Sequence, residues 1–280
     1  MLSYRKLAMR VLGRPLHTGG GIDSPRPASQ RAAAFVLTAA MLITLAAPAF
    51  AKTWYIENGD ITISAGKDGN DVTQNEKTTY GDKDTVITNQ KTDKASSNTV
   101  TIEANGKNDK VEVTLKDVNI DTSSRNNAAV SVTGSGNTTI KLDGDNHLTG
   151  GISDNGSYGL SGISSSGSLT ISGGETDSLT AQGGSGTDGS GGSGITSLGS
   201  LTISGGTVNA AGGDGTNSSD GGDGITNNRG VTISSGGTVT AKGGSGEDGS
   251  GGRGISSFGG VTISSGGTVT ATGGNSTGSD

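Results

Sequence analysis

Three Gly-rich segments carry acidic or amide side chains at matching offsets. Gly183-Gly184-Ser185-Gly186-Thr187-Asp188 and Gly243-Gly244-Ser245-Gly246-Glu247-Asp248 match the first six positions of the calcium-binding nonapeptide Gly-Gly-x-Gly-x-Asp-x-U-x. Gly212-Gly213-Asp214-Gly215-Thr216-Asn217 differs only in ending on an amide. Calcium takes six to eight oxygens, and loops stacked on one another would pool Asp188, Asn217 and Asp248. Against this, the apolar eighth position is held by Ser190 and Ser250, and the motif recurs once per repeat rather than in tandem. The residues therefore read as solvated loops, with a calcium site as the alternative.

Other chemistry is harder to assemble. The chain has no Cys and two His, His17 and His147, so the soft and imidazole ligands of transition-metal sites are missing. Past residue 160 the basic residues are Arg229, Lys242 and Arg253, and no His or Tyr occurs. Asp220 and Asp223 come nearest to a carboxylate pair, inside a Gly-rich loop. Cleaving a polysaccharide needs an acid/base pair or a basic residue beside a metal; this inventory favours a non-catalytic reading. Sugar binding would use exposed aromatics among polar neighbours. From Lys52 onward the candidates are Trp54, Tyr55, Tyr80, Tyr158 and Phe258. Trp54 and Tyr55 are neighbours, so on a strand only one faces outward, and packing at the end of the fold, where an open core needs cover, is the favoured role for this pair. Phe258 falls in a turn. A column of Thr170, Thr202, Thr232 and Thr262 offers a flat face of the kind that binds ice or other ordered surfaces, although strand propensity alone accounts for outward Thr.

The elements that would position these residues follow from a repeat. Gly162-Ile163, Gly194-Ile195, Gly224-Ile225 and Gly254-Ile255 step by 32, 30 and 30 residues. Ile171, Ile203, Ile233 and Ile263 keep the same steps. Two columns in one period indicate structural register. A degenerate copy precedes them, with Ala129-Val130, Thr139-Ile140-Lys141-Leu142 and Leu148-Thr149-Gly150-Gly151. Each copy holds short alternating runs broken by Gly-rich turns, too short to stand alone. Stacked, they form inward ladders: the four isoleucines; Leu179, Val208, Val239 and Val269; and Ala181, Ala210, Ala241 and Ala271. That predicts an all-β, single-stranded parallel β-helix of about 30 residues per turn with three short strands each. An antiparallel sandwich would not need one residue type to recur in register, and a disordered Gly/Ser linker would lack β-branched columns. A thin column also suits a chain only 29% hydrophobic and 3% aromatic, far below an ordinary globular domain.

Residues 1–51 read differently. Ala32 to Ala47 is apolar, Arg31 precedes it, and Ala49-Phe50-Ala51 fits a small-x-small cleavage site. The run is shorter than the roughly 20 residues of a membrane span. The expectation is a signal peptide with a long basic leader, cleaved after Ala51, and a secreted or cell-surface product. Lys52 onward holds 14 basic and 25 acidic residues, a net charge of −11, which argues against nucleic acid or an anionic membrane as partner. Residues 52–125 read as an N-terminal cap with irregular first rungs, and 126–280 as regular repeats with an open C-terminal end. Open β-edges pair with other chains, so the expectation is either that further rungs and a cap follow or that the chain associates end to end.

Trp54-Tyr55-Ile56-Glu57-Asn58-Gly59-Asp60-Ile61-Thr62-Ile63, Val118-Asn119-Ile120-Asp121, Ile140-Lys141-Leu142-Asp143-Gly144-Asp145-Asn146 and Val261-Thr262-Ile263-Ser264-Ser265-Gly266-Gly267-Thr268-Val269-Thr270-Ala271 resemble secreted bacterial β-helix proteins of the carbohydrate-binding-domain-containing, adhesin-like type. The resemblance spans nearly all of the chain after Ala51. It implies a right-handed helix and a glycan or host-surface ligand for adhesion, or a structural spacer. A pectate-lyase-like β-helix enzyme and a threonine-face binder are the alternatives.

Overall fold

The computed structural model describes residues 52–278. The proposed leader and its cleavage site after Ala51 lie outside the described residues. Within them the chain is a β-solenoid of about seven turns, with one short 3₁₀ turn at Ile56–Asn58. Each full turn visits three parallel sheets in succession. The first sheet stacks Ile61–Ala65, Val100–Ala104, Val130–Gly134, Ile163–Ser165, Ile195–Ser197, Ile225–Asn227 and Ile255–Ser257. The second runs from Thr53–Tyr55 through Thr85–Thr88, Lys110–Lys116, Asn137–Asp143, Ser168–Ser172, Leu201–Ser204 and Val231–Ser234 to Val261–Ile263. The third runs from Asn119–Asp121 through Asp145–Thr149, Ser178–Gln182, Thr207–Ala211 and Thr238–Lys242 to Thr268–Thr272.

Register follows the columns in the sequence. Ile140, Ile171, Ile203, Ile233 and Ile263 pair in one ladder. Leu179, Val208, Val239 and Val269 pair in another, and Ala181, Ala210, Ala241 and Ala271 in a third. Alternation puts these side chains inward, where they bury apolar area that no single strand could bury. Parallel stacking begins earlier than residue 126: Val100 already pairs with Val130, and Val113 with Ile140.

The corner between the second and third sheets is a tight turn with two left-handed residues. Ser235-Gly236 has φ of 52° and 75°, Ser265-Gly266 has 49° and 79°, and Gly205-Gly206 has 84° and 71°. The second of the two is Gly in all three turns, where an L side chain would be strained at positive φ, while the first is Ser in two of them.

The N-terminal end is closed by antiparallel strands. Asn70–Gln74 pairs with Ile61–Ala65, and Lys77–Asp82 pairs with Asn70–Gln74. Val72 plugs the apolar column, fully buried. Amides satisfy backbone that the missing rung would have paired. The Asn70 amide donates to the Glu112 carbonyl at 2.7 Å, and the Gln74 amide donates to the carbonyls of Tyr55 and Gly59 at 2.8 and 2.9 Å. Trp54 completes this cover at 5% exposure. Its indole N–H donates to Asp82 Oδ2 at 2.9 Å, and the Lys52 ammonium lies 3.7 Å from its ring centre.

Candidate functional site

The Gly-rich loops leave the solenoid after the third sheet and return before the first. Their limbs differ from the solvated loops expected. Gly192 N–H donates to Gly184, Gly213 to Gly192, Gly222 to Gly213, Gly244 to Gly222, Gly252 to Gly244 and Gly274 to Gly252, every one at 2.8 Å. The outgoing and returning Gly-Gly pairs thus zip into one seam that climbs the molecule. A Cβ on Gly213 would stand 2.1 Å from the Gly184 carbonyl oxygen, and one on Gly184 would stand 1.9 Å from that of Gly151. The paired glycines that resemble a calcium motif are therefore required by backbone-on-backbone packing, with ordinary negative φ.

The loop tips are exposed, and their acidic residues engage the next rung. Asp214 Oδ1 accepts from Ser245 N–H, Asp220 Oδ1 from Ser250 N–H and Asp223 Oδ1 from Arg253 N–H, each at 2.7 Å. Asp223 Oδ2 also accepts from the Thr226 hydroxyl at 3.0 Å. Asp220 and Asp223 are thus backbone caps. Of the three calcium candidates, the structure brings Asn217 onto Asp188, but through nitrogen: the Asn217 amide donates to Asp188 Oδ1 and, at 3.1 Å, to the Thr187 carbonyl. Asn217 N–H faces Glu247 Oε2 at 3.4 Å. Asn217 and Asp248 both adopt positive φ, 53° each. Among the described residues no three His, Asp or Glu side chains gather around one point.

Trp54, a ligand candidate from sequence with packing at the end of the fold as its favoured role, is buried in the N-terminal cover; Tyr55, beside it on the strand, faces outward. Tyr80, Tyr158 and Phe258 are exposed, Phe258 to 87%. Phe258 occupies a corner column with Asn228 and Leu198: its N–H donates to Asn227, Asn228 N–H to Ser197 and Leu198 N–H to Ser165. Leu198 is half exposed. The sequence reading missed it because only its place one position after an inward Ser shows that it points out.

A second omission lies inside. Below Ile63, Ile102 and Val132 the same ladder continues as Ser165, Ser197, Asn227 and Ser257. Ser165, Ser197 and Asn227 are buried. Ser165 and Ser197 donate to the carbonyls of Gly167 and Gly199, and the Asn227 amide donates to Ser197 at 3.2 Å and Gly199 at 2.7 Å. Asn227 Oδ1 accepts from Arg229 N–H and Gly230 N–H. Buried polar groups are tolerated when bonded in this way. They brace the tight corner into the second sheet. Asn146 does the same elsewhere: it pairs with Leu179, is fully buried, and accepts from Val118 N–H at 2.9 Å.

Among the described residues, His147 approaches an arrangement with the look of a catalytic triad. Its Nε2 lies 3.0 Å from Asp145 Oδ2, while the Ser178 hydroxyl donates to Asp145 Oδ1. The carboxylate sits between the other two groups, so the imidazole does not reach the Ser178 proton. The Ser178 hydrogen bond and then His147 hold Asp145 below the usual carboxylate range. The outward threonine column is regular: Thr139, Thr170, Thr202, Thr232 and Thr262 pair rung by rung.

In comparisons with known proteins, no family model, no curated protein and no solved structure matches the chain.

Proposed function

We propose that the chain is a non-catalytic, secreted or cell-surface solenoid module that binds a glycan or other surface ligand, presenting it along a stiff rod. The observation that carries this reading is the exposed Phe258 corner. Phe258 is 87% exposed at the corner that follows Ser256 and Ser257 of the first sheet. Such a pairing gives a sugar ring an apolar platform and directed hydrogen bonds. The titratable side chains of the repeats support the non-catalytic part, because Asp214, Asp220, Asp223 and Asp145 are engaged in cross-rung hydrogen bonds. Secretion rests on the leader read from sequence.

A glycan-array and host-surface binding assay, run beside a reducing-sugar release assay, tests the reading. Binding without release, weakened in Phe258→Ala, is expected. Sugar release would establish the lyase reading. The threonine column supports a second reading, a binder of ordered surfaces such as ice. Thermal hysteresis that disappears in Thr202→Lys with Thr232→Lys would favour it over glycan binding.

A further inference from the structure

A recess of about 440 Å³ lies between the 3₁₀ turn Ile56–Asn58 and the segment that runs from Thr85–Thr88 to Val100–Ala104. Its size is that of a small-molecule site. Hydrogen bonds hold its walls. The Asn98 amide donates to the Ile56 carbonyl at 2.9 Å, and the N–H groups of Gln90 and Lys91 donate to Glu57 Oε1 at 2.8 and 3.1 Å. The Glu57 side chain is thus fixed through one oxygen. The other, Oε2, is buried and has no hydrogen-bond partner among the described residues. A buried charged acceptor without a donor is costly. Lys91 and Lys94 line the same recess. Both are exposed, and among the described residues neither is ion-paired. Asp93, between them in sequence, does not line the recess.

We propose that this recess binds a dicarboxylic α-amino acid, a ligand with one ammonium and two carboxylates. Charge matching selects the class. Glu57 Oε2 accepts from the ligand ammonium, and Lys91 and Lys94 each donate to one carboxylate. The charges cancel group by group, so no ion leaves water without a counter-charge. Other ligands leave part of the recess unmatched. A metal cation meets two lysines at the rim. A simple anion presents acceptors to Oε2, itself an acceptor. A neutral sugar uses neither lysine charge. Because Oε2 is covered, the ligand enters as the exposed side chains of the rim rotate. The site is separate from the Phe258 corner and does not depend on the glycan reading.

Calorimetric titration of the full chain with L-glutamate and L-aspartate is the test. At least one of them should bind, and more weakly as salt screens the pairs. N-acetyl-L-glutamate lacks the ammonium and L-glutamine lacks one carboxylate; each should bind about tenfold more weakly than L-glutamate, or worse. Glu57→Gln keeps an oxygen for the N–H groups of Gln90 and Lys91 and puts an NH₂ donor in place of Oε2. It should leave the circular dichroism spectrum unchanged and weaken L-glutamate binding about tenfold or more. Lys91→Gln with Lys94→Gln changes only exposed side chains and should bring L-glutamate down to the affinity of L-glutamine. Failure of both amino acids to bind overturns the proposal and leaves Oε2 to a water. Equal binding of N-acetyl-L-glutamate, or L-glutamate affinity unchanged in either variant, overturns it as well.

Discussion

At the scale of single residues, neighbours on one strand have opposite fates. Ile203 is fully buried between Ile171 and Ile233, while Thr202 faces outward. Ile203→Asp places a carboxylate in a narrow apolar column and should cost several kcal/mol or force protonation. Thr202→Asp should cost under about 1 kcal/mol; equal losses in urea melts would mean that the alternation is not real. Thr138 is the reverse case. It stands in the inward ladder between Val111 and Leu169, buried, with a hydroxyl that has no partner. Thr138→Val keeps the shape and removes an orphaned polar group, so it should stabilise the fold by about 1 kcal/mol. A melting temperature that falls would mean that a bound water satisfies the hydroxyl. The Asp60 carboxylate is held below the usual range chiefly by the hydrogen bond from Arg125, with Thr99 N–H adding to it against opposing desolvation. The guanidinium forks onto it at 2.9 and 3.1 Å. A depressed folded value means stability that is present above the unfolded value, near 3.9, and lost as pH falls through the folded one. Because the pair is half exposed, the effect stays below about 1 kcal/mol. Arg125→Met should flatten that part of an acid titration of stability, and an unchanged acid limb would show that the pair is thermodynamically silent.

Elements here succeed by stacking rather than by length. Three-residue strands inside the stack, such as Ile163–Ser165, Ile195–Ser197 and Ile225–Asn227, gain two neighbours and a share of a continuous column. The glycine seam adds an element with no side chains at all. Gly213→Ala drives a methyl to within 2.1 Å of the Gly184 carbonyl oxygen, backbone that cannot move without opening the zipper. A loss of more than about 3 kcal/mol is expected, of the size seen when overpacking has no relief. Gly236→Ala is the control: nothing lies within 4 Å of its added Cβ, and only its φ of 75° opposes it, so about 1 kcal/mol should be lost. Denaturant melts distinguish the two, and similar losses would mean that the seam does not restrain the loops.

For the whole molecule, a solenoid divides its stability among rungs, and a ligand on several stacked loops would tie rungs together. Saturating a calcium site a hundredfold should stabilise by about 2.7 kcal/mol, several degrees in melting temperature. With Asn217 turned nitrogen-first onto Asp188, the expected rise with calcium is below about 3 °C. A larger rise that disappears in Asp188→Ala with Asp248→Ala would restore a shared site.

The architecture was legible in the sequence because a solenoid repeats its own local rule. A column such as Ile171, Ile203, Ile233 and Ile263 is written at a constant step, and alternation alone says which side is inward. Period, strand count per turn and inward ladders needed nothing more. Only the tertiary structure decided the rest, where the partner of a group lies one rung away and no periodic signal marks it. Ser165, Ser197 and Asn227 look like surface residues until the corner they brace is seen. Paired glycines are equally suited to a metal loop and to a packed seam, and only the approach of a neighbouring backbone separates the two. Asp220 and Asp223 look like a carboxylate pair until each is found capping an N–H in the following turn. The N-terminal cover also belongs to the structure, because it depends on a hairpin that reverses direction where the strands of the rungs run parallel.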